Sequence, residues 1–549
     1  MPEFAVPAEL IRERLLVATP FTRPVEIQGA VVHGELNLED VNSPASLHLK
    51  GCYFLHPVIM RNARLARVAL DGSRLESLDA RGLHVTQDVS LGRFEVHKGR
   101  KPQAFTVTNG VLLDGARIKG DLICTGAHLE SNEGPAFSGE GIRVRNLLLD
   151  EMTVETKGSK EVQSRDKESA EKGAIQLSGA YVTGGLVDCR MSTVKNSVGH
   201  GFQGNGLRVR GSMFFGGIEV TSRDTAIKLL GAEVGIALVF GRISMERRDR
   251  QEDTHLTSTS DSAVRADHLH VGERTTLVGG TYRGSRKQEG VLGFLGAELG
   301  ISLDLREIHM VNEDGRIILN LEDSRVARLI LPADAICNNL RGKCDTDTAK
   351  KIKLDGAEFS RTRKIRGTNA SQRDDWKHLL RWHHDPDYCA HPYERLALSY
   401  RDSGRDKDAR NVLIAQQNHL AKTEDAGNCV SKAGLHILRA LNGYGYRVSL
   451  LFLVWVPVLL TVTFSAGVFA HWFDATNGCN CNLVNQFAIG LNKVFYVFGA
   501  ASGTEQCTLD MRTGAGQGVY AFFWLLRFAS WVIFTFLLGA FLNLIRKLH

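Results

Sequence analysis

Ten cations and two indoles crowd residues 350–382. Lys350, Lys351, Lys353, Arg361, Arg363, Lys364 and Arg366 have only Asp355 and Glu358 as nearby acids in the sequence. Arg373, Lys377 and Arg381 follow at a spacing of four, which lines one side of a helix, and Trp376 and Trp382 flank that stripe. Cations interleaved with aromatics suit a phosphate backbone carrying stacked bases. They suit equally an anionic membrane surface or a plain solvated face. Arg361, Arg363, Lys364, Arg366, Arg373, Trp376, Lys377 and Arg381 are therefore the candidate contacts for a nucleic acid or nucleotide.

Other chemistries have less behind them. His378, His383, His384 and His391 lie near Asp387 and Cys389, a set with metal-ligand types. The adjacent His383 and His384 point to different helix sides, however, and read as surface or cap histidines, so no metal is expected. A dinucleotide site needs glycines at a strand-to-helix turn. Gly201-Phe-Gln-Gly-Asn-Gly206 sits in a strand pattern, and Gly514-Ala-Gly-Gln-Gly518 falls in an expected loop. With no P-loop, HExxH or GxSxG, neither an enzyme nor a cofactor is expected.

The chain that must position these residues has 549 residues, is 43% hydrophobic and 23% charged, and carries 55 Gly against 12 Pro. That excludes wholesale disorder and a many-span transporter, and favours tight turns between short strands. The net charge of +6 is small for this length, so anion binding must come from local patches. Cys52, Cys124, Cys189, Cys337, Cys344, Cys389 and Cys429 are scattered like thiols of a reducing compartment. The first 26 residues show no secretory signal and read as an amphipathic capping helix.

Residues 27–367 repeat a phrase: apolar, any, Gly, small, any, apolar. It occurs as Ile27-Gln-Gly-Ala-Val-Val, Leu113-Asp-Gly-Ala-Arg-Ile, Leu177-Ser-Gly-Ala-Tyr-Val and Leu354-Asp-Gly-Ala-Glu-Phe. Leu230-Gly-Ala-Glu-Val and Leu295-Gly-Ala-Glu-Leu read as copies contracted by one residue. Leu65, Leu70 and Leu75 recur every five positions, and most phrases run on into period-two alternation. Five-residue faces build a square coil, and stacked coils of around twenty residues make a mainly β, right-handed parallel β-helix. Residues 157–172 and 246–262 are charged, lack apolar period, and read as solvated loops.

Residues 368–447 change to a helical period. Within this connector, residues 392–402 and 407–422 form a helix pair around Gly404. Residues 448–473 carry no charge and 519–545 only Arg527, each long enough to span about 30 Å of hydrocarbon. Arg439 and Arg447 before the first span, and Arg546 and Lys547 after the second, place both termini in the cytoplasm by the positive-inside rule. The bulk of the chain is then cytoplasmic, with residues 474–518 outside a plasma membrane. In that oxidising compartment Cys507 can pair with Cys479 or Cys481, leaving the third thiol free or pairing between subunits. Residues 483–500 are apolar but too short to span, and form either a re-entrant or an interfacial helix. Arg527 either snorkels outward or faces a pore or subunit interface. With Lys493 and Asn543 it completes the candidate pore and gating set.

The solenoid phrases, the helix pair HPYERLALSYRDSGRDKDARNVLIAQQ and the GYGYR run before the first span resemble a group of bacterial pentapeptide-repeat-like membrane proteins. Some of that group carry the label membrane-associated oxidoreductase, which no motif here supports. Others of this layout act in anti-phage defence, including the pore-forming effector of the Hailong type, whose ligand is single-stranded DNA. The resemblance implies an inner-membrane effector in which the solenoid senses an anionic ligand and the spans form a pore. Two spans cannot enclose a pore, so a homo-oligomer is required, a tetramer by default. A membrane-tethered scaffold without a pore is the rival reading.

Overall fold

A computed structural model describes residues 4–19, 23–95, 102–158, 172–241, 253–286, 289–313, 317–331, 351–362, 380, 383, 389–421, 456–472, 494 and 514–546. They fall into two compact units, Met1–Ala409 and Arg410–His549.

The first unit is mainly β. Every ladder between its named strands is parallel, and they form long sheets of 12, 12 and 19 strands among the described residues. The chain visits the sheets in turn, which defines the faces of a solenoid. The first face runs from Ala5–Pro7 through Tyr53–Phe54 to His309–Asn312, and the second from Leu36–Asn37 through Val58–Ile59 to Lys351–Lys353. The largest sheet supplies two more, one through Arg64–Leu65 and His84–Val85, the other through Val68–Ala69 and Val89–Ser90. The strand Arg143–Leu148 joins them, pairing with both Arg117–Ile118 and Leu122–Ile123. Stacking period is read from register: Val58 pairs with Leu78, twenty residues on.

The phrase found in the sequence is the corner between faces. In Leu113-Asp-Gly-Ala, the Ala116 N–H donates to Leu113 O at 3.0 Å, and Gly115 sits at φ 68°. Leu113 and Ala116 point inward and are fully buried. Asn62, at φ 54°, fills the same place in the turn Met60–Ala63; asparagine tolerates this region because its short side chain bonds locally. Leu65, Leu70 and Leu75, with Ala63, Val68 and Ser73 two places before each, are all buried.

Two expectations from the sequence are corrected here. The copies at Leu230 and Leu295 are not contracted. Their turns run Leu229–Ala232 and Phe294–Ala297, with Leu229 and Phe294 buried and Leu230 and Leu295 at the outward position. A leucine in a solvated place drew the eye from the true anchor one residue before. The expected loop at 246–262 contains a strand, His255–Ser258, in the first face. Leu256 is fully buried there, and Thr254 Oγ1 donates to Phe215 O at 3.0 Å. Hydroxyl side chains that bond the neighbouring coil's backbone occupy inward positions without orphaned donors.

Helix α1 (Ala8–Leu16) covers the first coil, burying Ala8, Ile11 and Leu15. At the other end α2 (His391–Asp402) packs on the last strand, Glu358–Thr362. Pro392 at its start needs no intrahelical N–H partner, and Tyr393, Leu396, Ala397 and Tyr400 form its buried side. Gly404, at φ 70°, turns the chain into α3 (Asp406–Leu420). The second unit holds α4 (Val456–Trp472) and α5 (Gly514–Arg546), which pack on each other. Helix α5 begins at Gly514, so 514–518 belongs to a helix and not to the expected loop. Among the described residues no helix is long and apolar enough to cross a membrane.

Candidate functional site

The last two coils place the start of the basic cluster. Lys351 and Lys353 flank the buried Ile352 in one strand, and Arg361 lies in the next, in register with Arg328 of the coil before. Arg363, Lys364, Arg366, Arg373, Trp376, Lys377 and Arg381 lie outside the described residues. Coil stacking brings in acids that are distant in sequence. Glu322 Oε2 stands 3.7 Å from Lys353 Nζ. Glu298 and Glu358 hold Arg325 at 3.6 and 3.5 Å, and Arg395 of α2 closes on Glu358 at 2.8 Å. Stacking thus gives Lys353 an acidic neighbour, but it brings Arg325, Arg328 and Arg395 to this end together with Glu298 and Glu322.

Nearby, His383 is buried, forms a bridge with Ile352, and places Nε2 3.6 Å from Asp355 Oδ1. Among the described residues no three His, Cys, Asp or Glu side chains are grouped to hold a metal; His378, His384 and Asp387 lie outside them. Cys52, Cys124 and Cys189 are buried free thiols, and burial pushes each above the ordinary thiol range. That disfavours the nucleophilic thiolate. Residues 200–206 run from strand into turn and on to the strand Arg208–Val209, with no helix N-terminus to receive phosphates.

In the second unit Arg527 is half-buried on α5, its guanidinium 5.6 Å from the Trp524 ring centroid. One turn on, the Ser530 hydroxyl lies 2.8 Å from Arg527 O and 3.3 Å from Val494 O. Phe523, Leu526 and Ser530 are buried, whereas Trp524, Leu525 and Phe528 are 58, 68 and 71% exposed. Tyr520, Phe522, Trp531, Phe534 and Leu538 are exposed as well. Asn543 lies in the last turns of α5. Lys493, Cys479, Cys481 and Cys507 fall outside the described residues.

A second charged feature escaped the sequence reading. The fifth position of the repeated phrase stacks, coil on coil, into one outward column. Parallel register links Arg64, His84, Arg117, Arg143, Tyr181, Arg208, Glu233 and His270 in that order. Bridges through Glu298 carry the column to Arg325, and register carries it on to Glu358. From Arg208 onward it neutralises itself: Arg208 to Glu233 is 3.4 Å and His270 Nδ1 to Glu298 is 2.8 Å. Before Arg208 it holds no acid. The signal was present in the phrases as Arg117, Tyr181 and Glu358, but it has meaning only once the coils are in register.

No family model matches this chain, and neither a curated protein nor a solved structure is similar to it.

Proposed function

We propose that the chain is an oligomeric bacterial inner-membrane effector in which a cytoplasmic solenoid, wound right-handed like other parallel crossover connections, controls an apolar helical hairpin that forms or gates a pore. The observation that carries this reading is the outer side of α5. Eight large apolar side chains stand exposed between Tyr520 and Leu538, far more than water-facing helices leave uncovered. Lipid hydrocarbon is the solvent that suits such a surface. The described part of the first expected span, Val456–Trp472, has 17 residues, about 25 Å at 1.5 Å per residue. The sequence of 448–473 carries no charged residue and that of 519–545 only Arg527, which supports reading them as the two spans.

Arg527 against Trp524 is an arrangement that keeps a cation within reach of water while an indole covers it. A homo-oligomer, taken as a tetramer, encloses the pathway, and residues 474–518 face outward. The ligand is anionic, a nucleotide or single-stranded DNA, met on the cytoplasmic side by the cluster beginning at Arg361. Opening collapses the membrane potential and arrests an infected cell.

The test is membrane potential in bacteria expressing the full chain beside a chain truncated after Ala440. Depolarisation with the full chain alone supports the pore. Equal potentials, persisting after any bound anion is stripped from the protein, leave the tethered scaffold as the function.

A further inference from the structure

We infer that the acid-free half of the outward column is a docking face for an anionic lipid bilayer. Arg64, Arg117, Lys119 and Arg143 are exposed, and none of them pairs with a carboxylate among the described residues. Neighbouring rungs of a parallel ladder stand about 4.8 Å apart, so the four rungs from Arg64 to Arg143 extend over about 14 Å. Like charges directly opposite each other on neighbouring strands repel. The same column balances its charges in its second half, so the fold can supply acids at these positions and does not do so here.

The shape selects the occupant. The cations stand on successive rungs of one parallel ladder, close enough together for a plane of headgroups to meet them at once. A helical polyanion curves away from such a row after a few contacts. This inference rests on the membrane reading above: a chain held at a bilayer meets anionic headgroups at high effective concentration, so a few cations suffice.

The experiment holds the full chain in nanodiscs of phosphatidylcholine and measures capture of vesicles made of phosphatidylcholine alone or mixed with phosphatidylglycerol. Failure of the chain to enter discs contradicts the membrane reading, whereas capture tests this one. Wild type is expected to capture only the phosphatidylglycerol vesicles and to release them in about 0.5 M salt. R64Q/R117Q/R143Q is expected to lose on the order of a hundredfold in capture while melting no lower than wild type, because repulsion in the column is relieved. Should that variant not fold, R117Q and R143Q singly decide, each expected to lose several-fold in capture; unchanged capture by both would overturn the proposal. Salt-independent capture, capture equal for both vesicles, or tighter binding of an oligonucleotide that blocks the vesicles would overturn the proposal.

Discussion

The coils between residues 36 and 92 and those between 181 and 304 solve one packing problem in two ways. The first set winds tightly, with strands of two residues apart from Leu47–Lys50, and Val58 to Leu78 as one turn of twenty residues. The second is wider: Met213 pairs with Leu238, twenty-five residues on, and Arg274 with Ser302, twenty-eight on. It also buries larger side chains. Phe202, Phe215 and Phe240 follow one another along it, edge to face and then stacked, with centroids 5.2 and 5.0 Å apart, where the tight coils bury mainly Leu, Val and Ala with Phe54 and Met60. Longer coils go together with larger inward side chains, while the parallel ladder between coils stays the same. The corners differ too. At the corner built by the repeated phrase, the left-handed glycine faces open space at Gly115, Gly206 and Gly231, whereas a Cβ on Gly72 or Gly82 would meet the side chain of Phe94 or Asn62. In wide coils the corner between the last two faces brings backbones together, so that a Cβ on Gly235 would lie 2.1 Å from Arg210 O.

The largest effect expected is at the aromatic stack. Phe215→Ala should cost about 4 kcal/mol in urea unfolding; a loss under about 1.5 kcal/mol would mean that wide coils narrow to close the void. Gly235→Ala should cost about 3 kcal/mol, because the obstacle is backbone of the coil before. Gly115→Ala, with no atom within 4 Å of its added Cβ, should cost only about 1 kcal/mol of left-handed strain. Equal losses at the two glycines would erase the distinction between the corners.

The third prediction concerns pH. His200, buried in a wide coil with Nε2 3.1 Å from Lys228 Nζ, is held down to about 4 by burial first and by the lysine charge second. Its unfolded value is near 6.5, so the unfolded chain binds the proton more readily. Stability is therefore intact above about pH 6.5 and falls toward pH 4, by up to about 3 kcal/mol from this group. His200→Asn should flatten that part of the stability profile; an unchanged slope would remove His200 from the account. The smallest effect is on the outward column. Arg117→Glu, which places an acid between His84 and Arg143, should raise stability by about 0.5 kcal/mol, the scale of an exposed pair. A loss of stability would show that the cations there support the fold.

The tight coils were nearly legible from the sequence because each of their faces takes five residues, so Leu65, Leu70 and Leu75 announce the period directly. The wide coils hid theirs. At Leu230 and Leu295 an apolar residue in an outward position mimicked the anchor, and at 254–258 inward hydroxyls disguised a strand as a solvated loop. The site was less legible still. Charge read along the chain counts neighbours in sequence, whereas a solenoid makes neighbours of residues a coil apart. That is how Glu322 comes to face Lys353, and Glu298 to face Arg325. For the same reason the column from Arg64 to Arg208 was scattered through six coils of text.

The central claim, that the apolar hairpin conducts under control of the solenoid, is tested most directly by current across a planar bilayer holding the purified full chain, stripped of bound anion. The account predicts discrete current steps whose amplitude or open time changes in Arg527→Gln. A bilayer that stays silent with folded, inserted protein would contradict it.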